Sequence, residues 1–228
     1  MLPARGVLRD PNKLRRRRGA RRLLLAVIGV FALGAVSAAS ARESALSPFL
    51  VAQKSISAPA GFAGVCAMYP WACAGRVRVG TPAVRGTANL LRVADQINSR
   101  INRTVPQITD RAQFRREEYW SLPTMRGGDC EDFALLKMKT LMQAGVPANR
   151  LMIATAFLPD RTRHAVLVLR TDHGDFVLDN LERRILPWED TGLTFLRMQN
   201  PDRPASWDAV FAGGMIKSPR IATGSVTR

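Results

Sequence analysis

The chain has 228 residues, 46% of them apolar and 23% charged, and its 34 Lys and Arg against 18 Asp and Glu give a net charge of +16. That is a globular composition, and it excludes collagen-like, coiled-coil, multi-span membrane and disordered chains. The charge is uneven: residues 1–41 hold nine bases and one acid, Asp10, which leaves +8 for residues 42–228. A nucleic-acid surface is therefore not to be read from the total.

The leader comes first. A basic run from Arg15 to Arg22 precedes an apolar stretch over 23–36, and small residues follow, ending Ala39-Ser40-Ala41. This is the order of a secretory signal peptide, expected over 1–41. Fourteen helical residues rise about 21 Å, short of the roughly 30 Å of a bilayer core. An uncleaved membrane anchor is the alternative reading. Arg21-Arg22-Leu23-Leu24 faintly resembles a twin-arginine signal, a pattern that basic leaders also produce by chance. The expectation is an exported, periplasmic protein with one domain over 42–213 and a flexible, Gly/Ser/Thr-rich tail over 214–228.

Residues 44–64 are rich in Ser, Ala, Pro and Gly and are expected to wrap the domain loosely. Cys66 and Cys73 follow, seven apart around Tyr69-Pro70-Trp71. In an oxidising compartment their pairing is expected, with Cys130 left over. Three reduced, buried cysteines are the alternative.

Cys130 lies in Gly127-Gly128-Asp129-Cys130-Glu131-Asp132, where a helical pattern begins. Ala134, Leu135, Met138, Leu141 and Met142 recur at helical spacing, with Lys137, Lys139 and Gln143 on the other side, until Gly145 stops the run. A cysteine at a helix start meets free backbone N–H groups and the positive dipole end, which favour a thiolate. Asp129, Glu131 and Asp132 oppose it by repulsion unless a cation neutralises them. Such carboxylates suit an oxygen-liganded Ca²⁺, or they serve only as helix caps.

Apolar, β-branched runs follow over 151–158 and 164–170, then 175–179 after the turn Thr171-Asp172-His173-Gly174. They predict a three-stranded antiparallel sheet packed on the Cys130 helix, hence an α+β fold. His164 opens one strand and Asp179 ends its partner, so both fall at one end of the ladder. A thiol, an imidazole and a carboxylate in that arrangement are a nucleophile, a base and its orienter. The second histidine, His173, is expected in solvent.

Gly128-Asp129-Cys130-Glu131-Asp132-Phe133-Ala134 with its Lys-bearing helix, His164-Ala165-Val166-Leu167, and Leu178-Asp179-Asn180 together resemble the bacterial transglutaminase-like cysteine proteinases (BTLCP). The likeness runs from about Cys66 to Trp188 and takes in Tyr119-Trp120. It implies a papain-like or transglutaminase-like core and a catalytic triad of Cys130, His164 and Asp179. It also implies calcium beside the nucleophile, held chiefly by Asp129 and Glu131, with Asp132 and the carbonyl of Asn149 as further ligands. In the best-known branch the substrate is a very large surface adhesin, cut near its N-terminus at a pair of alanines in biofilm control. There an inner-membrane cyclic di-GMP receptor sequesters the protease.

The residues carry the corresponding chemistry. His164 holds the Cys130 thiolate, Asp179 fixes the imidazole, and the Cys130 N–H at the helix start binds the oxyanion. Water resolving the thioester makes a protease; an amine makes a protein-glutamine acyl transferase. Two other readings are an exported binding domain with a degenerate site, and binding of anionic polymer through Arg161, Arg163, Arg183 and Arg184. The arginines lack interleaved aromatics, which argues against nucleic acid.

Overall fold

A computed structural model describes residues 47–75 and 86–215. The signal peptide expected over 1–41 and most of the tail expected over 214–228 lie outside the described residues. No described helix is long and apolar enough to cross a membrane.

In chain order the elements are β1 (Ser55–Ile56), α1 (Val65–Met68), α2 (Thr87–Thr104), α3 (Asp110–Phe114) and α4 (Cys130–Gln143). Then come β2 (Leu151–Phe157), β3 (Arg163–Arg170), β4 (Asp175–Leu178), β5 (Leu186–Pro187), β6 (Thr194–Gln199) and β7 (Trp207–Ala212). The strands form one sheet in the order β1-β7-β6-β2-β3-β4-β5, antiparallel at every pairing. The α+β expectation holds, and the expected β2-β3-β4 meander is part of a seven-stranded sheet in which β2 is the central strand.

Both faces of that sheet are covered. Leu151, Ile153, Leu167, Leu169 and Leu178 pack with Phe133, Met138 and Leu141 of α4 and with Leu90, Ile97 and Ile101 of α2. Their strand neighbours Met152, Ala154, Val166, Val168 and Val177 pack on the other face with Leu50, Trp188, Phe195 and Met198. A sheet buried on two sides needs apolar residues at successive positions, which is why β2 and β3 read as continuous apolar runs.

The layers also explain a difference at α4. The helix is buried on almost every side, and Lys137, expected in solvent, is 0% exposed. Lys139 is half-buried, and Gln143 is exposed as the pattern required. Gly145 ends the helix at φ 90°, a conformation that other residues adopt only with strain.

The segment before α1 is fastened rather than loose. The Leu50 side chain is buried, and its N–H donates to Asp175 Oδ2 at 2.9 Å. That carboxylate also accepts both arms of Arg170, at 2.9 and 2.7 Å. Farther on, Ser55 and Ile56 pair with Asp208 and Trp207. Pro and Ser enrichment there reflects an edge strand and turns, not slack.

Cys66 and Cys73 are joined in a disulfide with Cα atoms 5.5 Å apart, and Cys130 is free. The loop is short, so the bond should contribute less than the roughly 3 kcal/mol of a 15-residue loop in the chain-entropy model. Non-reducing peptide mapping should find Cys66 linked to Cys73 and Cys130 alone alkylated. Cys66→Ala/Cys73→Ala protein should melt lower yet fold; a Cys130 linkage in the native protein would contradict the assignment.

Candidate active site

The site is built where a loop meets a helix start. Residues 106–110 zip onto 127–129: Ile108 N–H donates to Gly128 O at 3.0 Å and Gly128 N–H to Pro106 O at 3.2 Å. Gly127 has φ 114°, and any Cβ there would overlap the Pro106 carbonyl. At Gly128 a Cβ would stand 2.5 Å from Asp132 Oδ2. Both glycines are thus demanded by backbone geometry and close packing, and together they deliver Asp129 and Cys130 to the N-terminus of α4.

Opposite stands the sheet. His164, near the start of β3, pairs with Ala156 of β2. Beside Ala156 the β2–β6 register shifts, between Thr155 and Ala156; such irregularities re-aim side chains beside active sites. Asp179 follows the last residue of β4. Its Oδ1 lies 2.7 Å from His164 Nε2 and also accepts the Leu181 N–H at 2.9 Å. Both residues are buried. With Nε2 committed to Asp179, Nδ1 is the ring nitrogen left for a reacting group. Asp179 is braced from behind, because Asn102 of α2 donates to its carbonyl at 2.8 Å.

Cys130, His164, Ala165, Glu131, Trp120, Thr155, Ala156, Phe157, Arg163 and Arg197 line one cleft of about 370 Å³. Trp120 forms part of its wall, edge-on to Phe62 at 5.7 Å and to Trp207 at 6.1 Å. Its indole N–H donates to Glu118 at 3.1 Å. Two carboxylates hold this wall in place: Asp132 Oδ1 accepts the Ser121 N–H at 2.8 Å, and Asp110 Oδ2 accepts that of Tyr119.

The thiol of Cys130 donates to Glu131 Oε2 at 3.1 Å. Its pKa is pushed well above the ordinary thiol range, first by burial and then by the Glu131 carboxylate; the Ala165 backbone N–H pulls the other way. Burial, then the charge of Asp129, raises Glu131 to about 9. Asp132 is raised to about 7, again chiefly by burial. This concentration of buried carboxylate is costly without a cation.

Asp110, Asp129 and Glu131 each bring a carboxylate oxygen within 4.8 Å of the others. Asp110 Oδ1 and Asp129 Oδ1 are buried without hydrogen-bond partners. Of the four expected ligands, Asp129 and Glu131 are brought together, and Asp132, outside that group of three oxygens, gives Oδ1 to the Ser121 N–H and keeps Oδ2 buried without a hydrogen-bond partner. Asn149 is not brought there and is removed from the set. It sits in the short 3₁₀ turn Ala148–Arg150, beyond the far end of the 14-residue α4, which spans about 21 Å. Asp110 takes its place; 19 residues upstream of Asp129, it gave no local motif. His173 is exposed as expected, as are Arg161, Arg163, Arg183 and Arg184, of which Arg163 edges the cleft.

A cysteine at a helix start, opposed by a histidine and an acid on neighbouring strands of an antiparallel sheet, defines the transglutaminase-like class of α+β thiol enzymes. The sequence profile of the family "Bacterial transglutaminase-like cysteine proteinase BTLCP" matches residues 52–214, and the chain belongs to that family and is a cysteine peptidase. Calcium-bound Legionella pneumophila LapG is similar, with 28% identity over 55% of this chain and 77% of that one and a TM-score of 0.44. Two further structures, L. pneumophila LapG and its EGTA-treated form, share 32% identity over 48% of this chain, with TM-scores of 0.42. They are covered over 64% and 62% of their own lengths. No curated protein sequence matches.

Proposed function

We propose that the protein is a calcium-dependent periplasmic endopeptidase acting through Cys130, His164 and Asp179. The observation that carries this is one cleft holding a helix-start thiol and an imidazole backed by a carboxylate at 2.7 Å. Nδ1 of His164 takes the Cys130 proton, and Asp179 fixes the ring through Nε2–H and stabilises the imidazolium. The thiolate adds to a peptide carbonyl, and the Cys130 backbone N–H binds the developing oxyanion. His164 returns the proton to the leaving amine and then takes one from the water that opens the thioester.

Asp110, Asp129 and Glu131 are proposed to hold calcium. The fit rests on their convergent oxygens, the two unpartnered carboxylate atoms and the all-oxygen donor set. Bound there, Ca²⁺ supplies a positive field that offsets the carboxylates flanking the thiol, with no part in the attack. Asp132 clamps the Trp120 wall through Oδ1 and leaves Oδ2 buried without a partner.

The leader over 1–41 supports export, with the peptidase domain over 42–213 and a tail over 214–228. Membership of the family supports a large surface adhesin as substrate, cut at paired alanines, and sequestration by an inner-membrane cyclic di-GMP receptor. The test is cleavage of a purified N-terminal fragment of a giant repeat adhesin from the same organism. With calcium, new ends should arise between two alanines and vanish when those alanines become bulky. Cleavage of unrelated proteins, with the adhesin left intact, would contradict this substrate assignment.

A further inference from the structure

Beside the cleft, β6 breaks the alternation of a strand. Phe195 and Met198 both pack in the core on the far face of the sheet, yet regular alternation puts residues three apart on opposite faces. A bulge reconciles them. β2 pairs Ala156 with Phe195 and Thr155 with Arg197, so Leu196 is an extra residue in β6. The β6–β7 register shifts at the same place, between Phe195 and Arg197. Opposite it in β7, Phe211 has φ 43°, a conformation that residues other than glycine adopt only with strain. As a result two consecutive side chains, Leu196 and Arg197, line the cleft that holds Cys130 and His164.

Arg197 is half-buried, and its Nη1 donates to the Ser57 carbonyl at 2.7 Å. That bond fixes the guanidinium and commits only part of its donor fork. Among the described residues Arg197 makes no ion pair, and neither does Arg163, which also lines the cleft. The acids lining it are already engaged. Glu118 takes the Trp120 indole N–H, and Glu131 belongs to the proposed calcium site. The cleft is therefore basic on its sheet side, where a held guanidinium lacks the carboxylate it is shaped to bind.

We propose that Leu196 and Arg197 form a substrate subsite in which Arg197 selects an Asp or Glu side chain close to the scissile bond. This deepens the peptidase reading and rests on it. The position follows from the sheet. Ala156 pairs with His164 on one side, and its neighbour Thr155 pairs with Arg197 on the other. Arg197 thus lies two strand spacings, about 10 Å, from the strand that carries His164. An extended substrate advances about 3.4 Å per residue, which places the acid within about three residues of the bond cut. Paired alanines at the cut leave those flanking positions free to carry the charge. Leu196 gives the same stretch an apolar contact, and Arg163 adds a charge of the same sign at the rim.

The test uses full-length, calcium-loaded protein and a pool of peptides capped at both ends, so that side chains supply the only carboxylates. Each peptide carries a central Ala-Ala pair and one Asp, Asn or Lys at a chosen flanking position, and mass spectrometry gives kcat/KM for each. The wild type should cut the best-placed Asp peptide about tenfold faster than its Asn counterpart, the lower end for a hydrogen bond to a charged group. The Lys counterpart should be slower still. Arg197→Gln should abolish the preference, and Arg197→Glu should turn it toward Lys. A residue that only pins Ser57 would lower the melting temperature and leave selectivity unmoved. Equal rates for Asp and Asn peptides in the wild type, or a preference that survives in folded Arg197→Gln protein, overturn the proposal. If neither variant folds, Arg197 is a structural pin and the proposal falls. A wild type that cuts no peptide faster than Cys130→Ala protein marks a different failure: the peptidase reading itself is then wrong and takes the subsite with it.

Discussion

Cys130→Ala protein will fold, bind calcium and melt like the wild type, yet cleave nothing. The substitution removes the only atom in the cleft able to form the thioester, and Cys130 is not in either packed core. The expected loss is on the order of 10⁶-fold, the scale on which a triad nucleophile or its base acts. His164→Ala should match it, because two residues acting as one unit are not additive. Asp179→Asn should cost about 10⁴-fold, since it spoils the tautomer and orientation of His164 rather than deleting a reacting atom. Initial rates on the adhesin fragment, with circular dichroism as the control for folding, give the comparison. A folded Cys130→Ala enzyme that retains the wild-type rate would remove Cys130 as nucleophile.

Removal of calcium has the second-largest expected effect. With EGTA, activity should fall to near background and the melting temperature should drop; added calcium should restore both. Binding to the folded state alone contributes about 2.7 kcal/mol at 100 times the dissociation constant. Magnesium, held to a tight octahedral shell, should rescue poorly. Asp110→Asn and Asp129→Asn should imitate the chelator. The pH dependence has a definite sign. Glu131, Asp132 and Asp110 all have folded pKa values above their ordinary ones, the first two at about 9 and about 7. Their contribution is therefore fully present below about pH 4, where folded and unfolded chains are both protonated, and is lost as pH rises toward 9. Metal-free protein should accordingly lose thermal stability between pH 5 and 8, and saturating calcium should flatten that slope. Calorimetry that detects neither calcium binding nor an effect of EGTA would reduce these carboxylates to caps and clamps.

What the sequence disclosed follows from how local each feature is. Cys130, His164 and Asp179 each sit in a short motif at the end of an element, and pairing of β3 with β4 is enough to bring the last two together. Asp110 was invisible because its approach to Asp129 depends on the zipper between 106–110 and 127–129, two segments with no shared pattern. Asp132 gives Oδ1 to the Ser121 N–H, a partner eleven residues upstream that no local pattern shows, and leaves Oδ2 without a partner. Asn149 was misplaced for a related reason, the length of α4 standing between it and Cys130. Lys137 fell on the polar side of a helical pattern, but α4 is covered by α2 as well as by the sheet. β1, β5, β6 and β7 were missed: they are two to six residues long, and β6 and β7 carry polar residues at buried positions, such as Gln199 and Asp208.

The central claim is that His164 and a calcium-loaded carboxylate cluster turn a poorly acidic thiol into a nucleophile. It is tested most directly, and without any substrate, by the rate of Cys130 alkylation as a function of pH, read by intact mass. In calcium-loaded wild-type protein, fast labelling should persist down to about pH 6, near the ordinary range of an imidazole. In His164→Ala protein, and in wild-type protein with EGTA, labelling should begin only in the alkaline range, as the raised thiol of Cys130 requires. One alkaline profile common to all three samples would contradict the account.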